Sequence, residues 1–526
     1  MLFDKVLKEE RSRAGEATHI AHLQERLRKL SLTDPVAAVR SLSELARKIR
    51  RADVDIRTRL KLLELLRDRS DTLLPEIESR LSQVTLPLAL PLQDAVCTAK
   101  KLLRELGLAY SAVVSCASGK WWAGSFESTL RTAVLSGMHV FTRRLSLDYR
   151  VYARGSRTAW LEMHRLYRTA REQGFATTQI AAGDSPERLY VRALLLAFAD
   201  PTKFAPGDLE RVGSYVQRHE RLAILRDPLR QEHTAEFGTA SFLIRPSLAS
   251  PGKSLLKGAE EPFKAGDLIL QCSALVDRLD SQLESLERRI APAKLGLPKV
   301  AELPQYIALL SSLRGLWAAP PKRRYSRTQF HPRADVVVGL MEVWRFVAGA
   351  ALRRRAEDDT GETDLAASEV SAWTVTNESP EGFSLNYLSF QVGSDASAIQ
   401  VGEIVGLRPR DSALVHLCIV RRAVCTAPSN IEVGIQIVAT HVLPAVITLP
   451  ATRTRAAQRA VRVILIPRMP RLRNLAALLA PPDCLSIGME FTLPYRGRQV
   501  LMRVTERTEQ TGSCEVFTLA PARPAE

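Results

Sequence analysis

The sequence predicts an α+β multidomain protein, with a large all-α N-terminal region followed by a β-barrel and a further small β region. The chain has 526 residues, of which 46% are hydrophobic, and this length suits three or four domains of about 150 residues each. Apolar residues recur at helical spacing up to about residue 316, and short β-branched runs replace them after residue 320. We therefore expect helical domains of unknown role at 1–318, a β-barrel at 319–440, and a basic β extension or second small β domain at 441–526.

Helical spacing is clear in the N-terminal region. Apolar residues from Ile20 to Leu30 recur every three or four positions, and a second such stretch follows Asp34-Pro35, which is a typical helix start. The stretch from Cys272 to Ile290 keeps alternating intervals of four and three, as in a short coiled coil. We favour one more helix packed inside the same domain over a dimer contact for this stretch.

Short β-type runs bounded by Gly, Pro or polar residues predict strands after residue 320, as in a barrel or sandwich. One stretch, Leu340 to Arg355, fits a helix better, and an acidic loop at 357–364 follows it. The predicted strands are Val336–Val338, Ser371–Thr376, Phe383–Leu388, Ala413–Val420, Ile431–Val438, Val461–Ile466, Glu490–Leu493, Gln499–Val504 and Glu515–Leu519.

Several classes of protein are excluded at this point. No apolar run approaches the ~18 residues that cross a bilayer, and no secretory signal is visible at the start, so we expect a cytoplasmic chain without membrane insertion. The seven cysteines are scattered and form no CxxC pair, which favours buried free thiols over disulfides or zinc. No phosphate-binding loop, dinucleotide fingerprint, zinc-protease or hydrolase motif is present. We therefore expect no enzyme, no catalytic residues, no metal and no cofactor.

The net charge of +17 leaves three kinds of polyanion open, namely nucleic acid, an anionic membrane surface or a small ligand. A basic cluster, Lys322-Arg323-Arg324-Tyr-Ser-Arg327, stands at the junction between the helical and β regions. Arginine suits phosphate because its planar fork gives two parallel hydrogen bonds and its face can stack on a purine. On its own, such a cluster is better explained by a solvated linker between domains.

A second motif follows about fifty residues later, where a β-type run ends in Asn377-x-Ser379-x-x-Gly382 and another begins. Asn and Ser supply short acceptors and donors for a base edge, and Gly allows a sharp turn or a close approach to a ligand. The two motifs together resemble the PilZ domain, the bacterial receptor module for cyclic di-GMP. The runs Val401-Gly402 to Leu407 and Ile419 to Arg422, with Ile431 to Gln436, resemble further strands of that family in the same order.

The resemblance implies a non-enzymatic bacterial receptor or effector for cyclic di-GMP. It assigns Arg323 and Arg327, with Arg324 between them, to the phosphates and guanine faces of the ligand. Asn377 and Ser379 would contact a guanine edge, and Gly382 would permit the turn. Because the arginines join the two regions, ligand binding would be relayed to the helical region, which we expect to contact a protein partner.

Two departures from the family pattern matter. Asn377 stands where Asp is the commoner residue, and the interval from Arg327 to Asn377 is longer than usual, with the predicted helix as the insertion. The C-terminal part also carries seven arginines between Arg453 and Arg473, a density that suits either a solvated face or a polyanion-binding surface. The alternative function is therefore a nucleic-acid-binding or scaffold protein with a degenerate PilZ-like domain.

Overall fold

A computed structural model gives the structure of the chain. It describes residues 18–30, 33–118, 126–180, 183–229, 240–255, 262–318, 332–353, 370–388, 398–410, 414–427, 430–449, 459–467, 476–495 and 498–522. The predicted class, α+β multidomain, is confirmed, because a helical N-terminal region precedes two closed β-barrels of six strands each. The division of the chain into folding units at 318 and 440 stays a prediction.

The helical region begins with a bundle of amphipathic helices. Its helices are α1 at 18–28, α2 Pro35–Arg51, α3 Ile56–Ser79, α4 Leu90–Ser118, α5 Glu127–Arg150, α6 Arg157–Glu172, α7 Pro186–Phe198 and α8 Pro206–His219. The predicted start at Asp34-Pro35 is confirmed, since the Asp34 carboxylate accepts from the Ala37 N–H and Pro35 is the first helical residue. The short 3-10 turn Pro201–Lys203 links α7 to α8.

A small antiparallel sheet interrupts the helices, which the sequence analysis did not foresee in a region that it took as all-α. Its strands are β1 Ile224–Arg226, β2 Ser241–Ile244, β3 Lys253–Ser254 and β4 Leu268–Gln271, in the order β1-β4-β2-β3. Each has at most four residues, and all four residues of β2 are buried, so none shows the alternation that identifies a strand. The helices α9 Ser273–Glu287 and α10 Pro304–Ala318 follow. The apolar side of α9 packs within this region, with Leu275, Leu279 and Leu286 buried.

The first barrel contains β5 Arg333–Val338, β6 Ser371–Ser379, β7 Gly382–Leu388, β8 Ile404–Pro409, β9 His416–Ala427 and β10 Asn430–Ala439. They close in the order β10-β7-β6-β5-β8-β9. Four of the five strands that the sequence predicted between residues 336 and 438 lie within these elements, and the fifth, Ala413–Val420, overlaps β9, which begins at His416. Between β5 and β6 stands α11, Leu340–Arg353, which confirms the helix expected there.

The second barrel contains β11 Leu443–Leu449, β12 Arg459–Ile466, β13 Ala477–Ala480, β14 Glu490–Tyr495, β15 Arg498–Gln510 and β16 Glu515–Pro521, in the order β11-β12-β13-β16-β15-β14. The sequence analysis missed β11 and β13. The helix α11 packs on β5 and β8 of the first barrel and on β11 and β12 of the second. The Trp344 indole N–H donates to the Ala445 carbonyl over 3.0 Å, so this helix ties the two barrels together.

The first barrel is docked on the helical region through Tyr152. This buried residue has a left-handed backbone (φ 56°), which is unusual for a residue other than glycine. Its hydroxyl accepts from the Val401 N–H over 3.2 Å, and its carbonyl accepts from the Cys425 N–H over 2.9 Å. A second contact is an isolated β-bridge, in which Leu86 and Ile399 each donate a backbone hydrogen bond to the other's carbonyl. The apolar cores of the two regions are continuous across this contact.

None of the helices in the described ranges is both long and apolar enough to cross a membrane. All seven cysteines are free. Three are buried as expected, but Cys97 and Cys116 are exposed, because their positions fall on the outer side of α4.

Candidate ligand-binding pocket

The motif Asn377-x-Ser379-x-x-Gly382 forms a β-hairpin. Asn377 and Ser379 end β6, Gly382 begins β7, and Ser379 is paired with Gly382 across the two-residue loop Pro380-Glu381. The Ser379 hydroxyl donates to the Gly382 carbonyl over 3.1 Å. This local hydrogen bond fixes the serine side chain beside the turn, so the strand, turn and strand lie where the sequence indicated.

Gly382 is required by a close approach between strands and not by the turn. Its φ lies outside the left-handed region. A Cβ at this position would lie 2.0 Å from the carbonyl oxygen of Ile435 in β10 and 3.1 Å from the Cα of Gln436. Only glycine lets β7 and β10 approach this closely. The sequence suggested a sharp turn or a close approach to a ligand as reasons for this glycine. The structure replaces the turn by a packing reason, and the close approach to a ligand stays a prediction.

A β-bulge presents two adjacent arginines beside the hairpin. In the β9–β10 ladder, Gly434 pairs with Arg422 and Ile435 pairs with Val420, so Arg421 is an extra residue on β9. In a regular strand, neighbouring side chains point to opposite faces. Here Arg421 and Arg422 are both half-buried and line the same cavity, as expected where a bulge redirects side chains.

These residues enclose a cavity of about 310 Å³. A helical-region residue, Lys203, completes its wall, because the turn that carries Lys203 packs on β9. The cavity therefore lies at the boundary between the helical region and the first barrel. Its polar lining consists of Lys203, Asn377, Glu378, Ser379, Glu381, Ser384, Arg421, Arg422 and Gln436.

Each of the three cations in this lining has a carboxylate partner. The ammonium of Lys203 lies 3.0 Å from Asp200 in the helical region. The guanidinium of Arg422 lies 3.8 Å from Glu432 on β10. The guanidinium of Arg421 makes the strongest pair, with Glu509 of the second barrel.

Arg421 makes three hydrogen bonds. Its Nη1 and Nη2 groups donate to the two carboxylate oxygens of Glu509 over 2.8 and 2.7 Å, and its Nε donates to Gln436 over 2.7 Å. Such a two-pronged pair is among the stronger ionic contacts in proteins. A second cavity of about 690 Å³ adjoins this point, and Lys203 and Arg421 line both cavities. The second cavity is the place where the helical region and both barrels meet.

The structure brings three of the six predicted ligand residues together. Asn377, Ser379 and Gly382 all line the smaller cavity, whereas Arg323, Arg324 and Arg327 lie outside the described residues. Their ligand-binding roles stay predictions. The predicted site did not include Lys203, Arg421, Arg422 or Gln436. The pair Arg421-Arg422 within an apolar β-type run was the available signal, because two successive polar residues break the alternation of a strand.

The arginine stretch of the C-terminal part is only partly described. Arg459 is exposed, and the guanidinium of Arg462 lies 5.2 Å from the ring centre of Trp344 on α11. The other five of the seven, at 453, 455, 468, 471 and 473, lie outside the described residues, so a nucleic-acid surface there stays a prediction. Within the described ranges, no group of three or more His, Cys, Asp or Glu residues could hold a metal ion.

Comparison with known proteins bears on the helical region. No curated protein matches the chain. Residues 21–230 match the family model described as the N-terminal domain of the cyclic-di-GMP receptor FimW. This segment runs from α1 to just beyond β1 and includes Lys203 and Tyr152, which contact the first barrel. The match comes from a part of the chain that the PilZ resemblance does not cover, and it is consistent with the cyclic di-GMP receptor family that the sequence predicted.

Proposed function

We propose that this chain is a non-enzymatic, cytoplasmic receptor for cyclic di-GMP and that it binds the ligand in the cavity beside the β6–β7 hairpin. One observation carries the proposal: the predicted base-contacting residues Asn377 and Ser379 share this cavity with Arg421, Arg422 and Lys203. The match of residues 21–230 to a domain of a cyclic-di-GMP receptor supports the same ligand independently. The absence from the sequence of any hydrolase or nucleotide-transfer motif favours a binding role over an enzymatic one.

The chemistry of the cavity suits this ligand. Cyclic di-GMP is a compact dianion with two guanine faces and two guanine edges. Asn377 and Ser379 supply hydrogen-bonding groups at one side of the cavity, where a guanine edge could be read. A guanidinium can stack on a purine and also bind a phosphate. Each stacked base contributes about 1–3 kcal/mol, and each charge-assisted hydrogen bond about 1.5–3 kcal/mol.

The path of the chain allows Arg323 and Arg327 to complete this site. Strand β5 runs antiparallel to β6, with Arg333 opposite Thr374, and the Pro332 carbonyl accepts from the Val375 N–H over 3.0 Å. The segment before Pro332 therefore joins the barrel at the end of β6 that carries Asn377.

The insertion before Asn377 lies at the other end of these strands. It connects Val338, the last residue of β5, to Ser371, the first residue of β6. Because Val336 and Ser371 are paired in register, the helix α11 is attached at the end of the barrel remote from Asn377. The longer interval between the two motifs is thus compatible with an intact site.

Isothermal titration calorimetry of the full chain with cyclic di-GMP tests the proposal. We expect saturable binding by the unmodified protein and a large loss of affinity in Arg422→Ala, in Ser379→Ala and in the double variant Arg323→Ala/Arg327→Ala. Arg288→Ala is the matched control, because Arg288 is exposed and its nearest carboxylate lies 3.9 Å away on the same helical turn. The absence of binding heat in the unmodified protein, or unchanged affinity in the pocket variants, contradicts the proposal.

The relay to the helical region is part of the same proposal. Lys203 reaches the cavity from the helical region, and Tyr152 and Leu86 hold that region against the first barrel. A ligand that contacts Lys203 on one side and the hairpin on the other interacts with both regions at once. Such differential contacts are what allows a ligand to shift the relative placement of two bodies.

A further inference from the structure

The pair between Arg421 and Glu509 connects the cavity to the second barrel. We propose that Glu509 competes with the ligand for Arg421, so that binding of cyclic di-GMP in the first barrel loosens the second barrel. This inference rests on the proposed function, because it needs an anion at the same cavity. It adds a role for the second barrel, for which the sequence indicated only a basic composition.

The competition concerns one side of the Arg421 guanidinium. A guanidinium has five N–H groups, of which Glu509 takes one from Nη1 and one from Nη2, and Gln436 takes the one on Nε. The two outermost groups, which form the best fork for a phosphate, are both used by Glu509. Gln436 is neutral and lies on β10 of the same barrel, so it is no rival for an anion. A phosphate that takes the fork must therefore displace the Glu509 carboxylate.

The charges around Arg421 and the exposure of its ion pair also favour an exchange of Glu509 for the ligand. The charge of Arg421 is neutralised by Glu509, and Glu378 and Glu381 add negative charge to the lining. The side chains of Arg421 and Glu509 are 39% and 31% exposed, which means that water can screen the pair and solvate a released carboxylate. A half-exposed pair can therefore be exchanged for a dianion at a lower desolvation cost than a fully buried pair.

Release of Glu509 weakens the contact between the barrels at one end of β15. Glu509 follows a register shift in the β15–β16 ladder, and the adjoining turn makes a second contact, in which the Ser513 hydroxyl donates to the Gly402 carbonyl over 2.9 Å. The pair and this hydrogen bond face the larger cavity, where the helical region also contributes. By thermodynamic linkage, a second barrel that holds Arg421 disfavours the ligand to the same extent that the ligand disfavours the docked barrel.

Glu509→Gln tests the competition, because glutamine keeps the size of the side chain and removes its charge. We expect this variant of the full chain to bind cyclic di-GMP about fivefold more tightly than the unmodified protein in calorimetry. Glu506→Gln is the matched control, since Glu506 is exposed on the same strand and its removal changes the net charge equally. The control should bind with unchanged affinity.

Hydrogen exchange of β15 and β16, followed by mass spectrometry, gives a second readout. In the unmodified protein, saturating cyclic di-GMP should speed amide exchange in residues 498–521, and Glu509→Gln should show faster exchange there without ligand. Equal or weaker affinity in Glu509→Gln, or equal exchange in these strands with and without ligand, overturns the competition while leaving the proposed function intact. No binding heat in any variant overturns the proposed function and the competition with it.

Discussion

The substitution Gly382→Ala is the most direct test of how the hairpin is built. An alanine Cβ at this position would lie 2.0 Å from the carbonyl oxygen of Ile435 and 3.0 Å from its carbonyl carbon. Both atoms belong to the backbone of β10, which is hydrogen-bonded to β7 on one side and to β9 on the other. The neighbour therefore cannot rotate away as a flexible side chain would, and the strands must separate.

The size of the effect follows from the required displacement. To bring the added Cβ from 2.0 Å to an ordinary contact of 3.4 Å, the two strands must move apart by about 1.4 Å at this point, and forced repacking of this kind typically costs about 1–3 kcal/mol. The movement also strains the nearby hydrogen bond from the Ile437 N–H to the Glu381 carbonyl, now 2.9 Å. Since Gln436 and Ser379 stand on the two sides of this contact, we expect the cavity to lose its geometry and the ligand affinity to fall at least tenfold.

Denaturant unfolding and calorimetry with cyclic di-GMP measure the two effects in the same protein. Gly213→Ala is the control, because Gly213 lies in α8 with no atom within 4 Å of an added Cβ. In that helix, alanine should leave binding unchanged and raise stability by about 1 kcal/mol. If Gly382→Ala kept both its stability and its affinity, the close approach of β7 and β10 would not be a requirement of the site.

Three further predictions concern stability and ligand choice. Glu220→Gln should lower the free energy of unfolding by about 3–5 kcal/mol, because the buried Glu220 carboxylate accepts from Arg188 over 2.8 Å and from Arg192 over 2.7 Å, as denaturant titration can measure. Burial and nearby arginines lower the pKa of His219 from 6.5 to about 4, so the unfolded chain binds a proton that the folded chain does not. Stability should therefore fall by about 1–2 kcal/mol between pH 6.5 and 4, a value reduced for the partial exposure of the ring, and His219→Gln should flatten this pH dependence of thermal unfolding. Asn377→Asp should tighten cyclic di-GMP binding about tenfold in calorimetry, since a carboxylate can accept from two guanine N–H groups in charge-assisted hydrogen bonds; equal affinity would show that Asn377 does not contact the base edge.

Local signals in the sequence were sufficient for most of the barrels. Gly382 and Ser379 could be placed in a hairpin because turn residues separate two β-type runs, and the helix after Leu340 was recognisable by its spacing. The strands of the small sheet were missed because β2 is buried throughout and the others have two to four residues. Strands of this kind are defined by their neighbours in space, and local periodicity does not report those neighbours.

Only some of the residues that line the cavity could be predicted from the sequence. Asn377 and Ser379 belong to a short motif with fixed spacing, so the sequence could single them out. Lys203 lies more than 170 residues before them, within an ordinary helical pattern, and only the docking of the two regions brings it to the cavity. Arg421 belongs to the cavity because a bulge on β9 adds one residue, and the register of a ladder depends on the partner strand as much as on the strand itself.

The pairing of the cavity cations explains how a basic chain can avoid binding every anion. Lys203, Arg421 and Arg422 each face a carboxylate, and the three carboxylates belong to the helical region, the second barrel and the first barrel respectively. If a simple anion displaced one carboxylate, the free energy of the new ion pair would be about equal to that of the pair lost, because both pairs are of the same kind. A ligand with two phosphates and two purines gains stacking in addition, and the carboxylates that it displaces have no equivalent of this stacking. If cyclic di-GMP binds in this cavity as proposed, it can exchange ion pairs that involve all three parts of the chain, and this is a physical route by which so small a ligand would act on so large a protein.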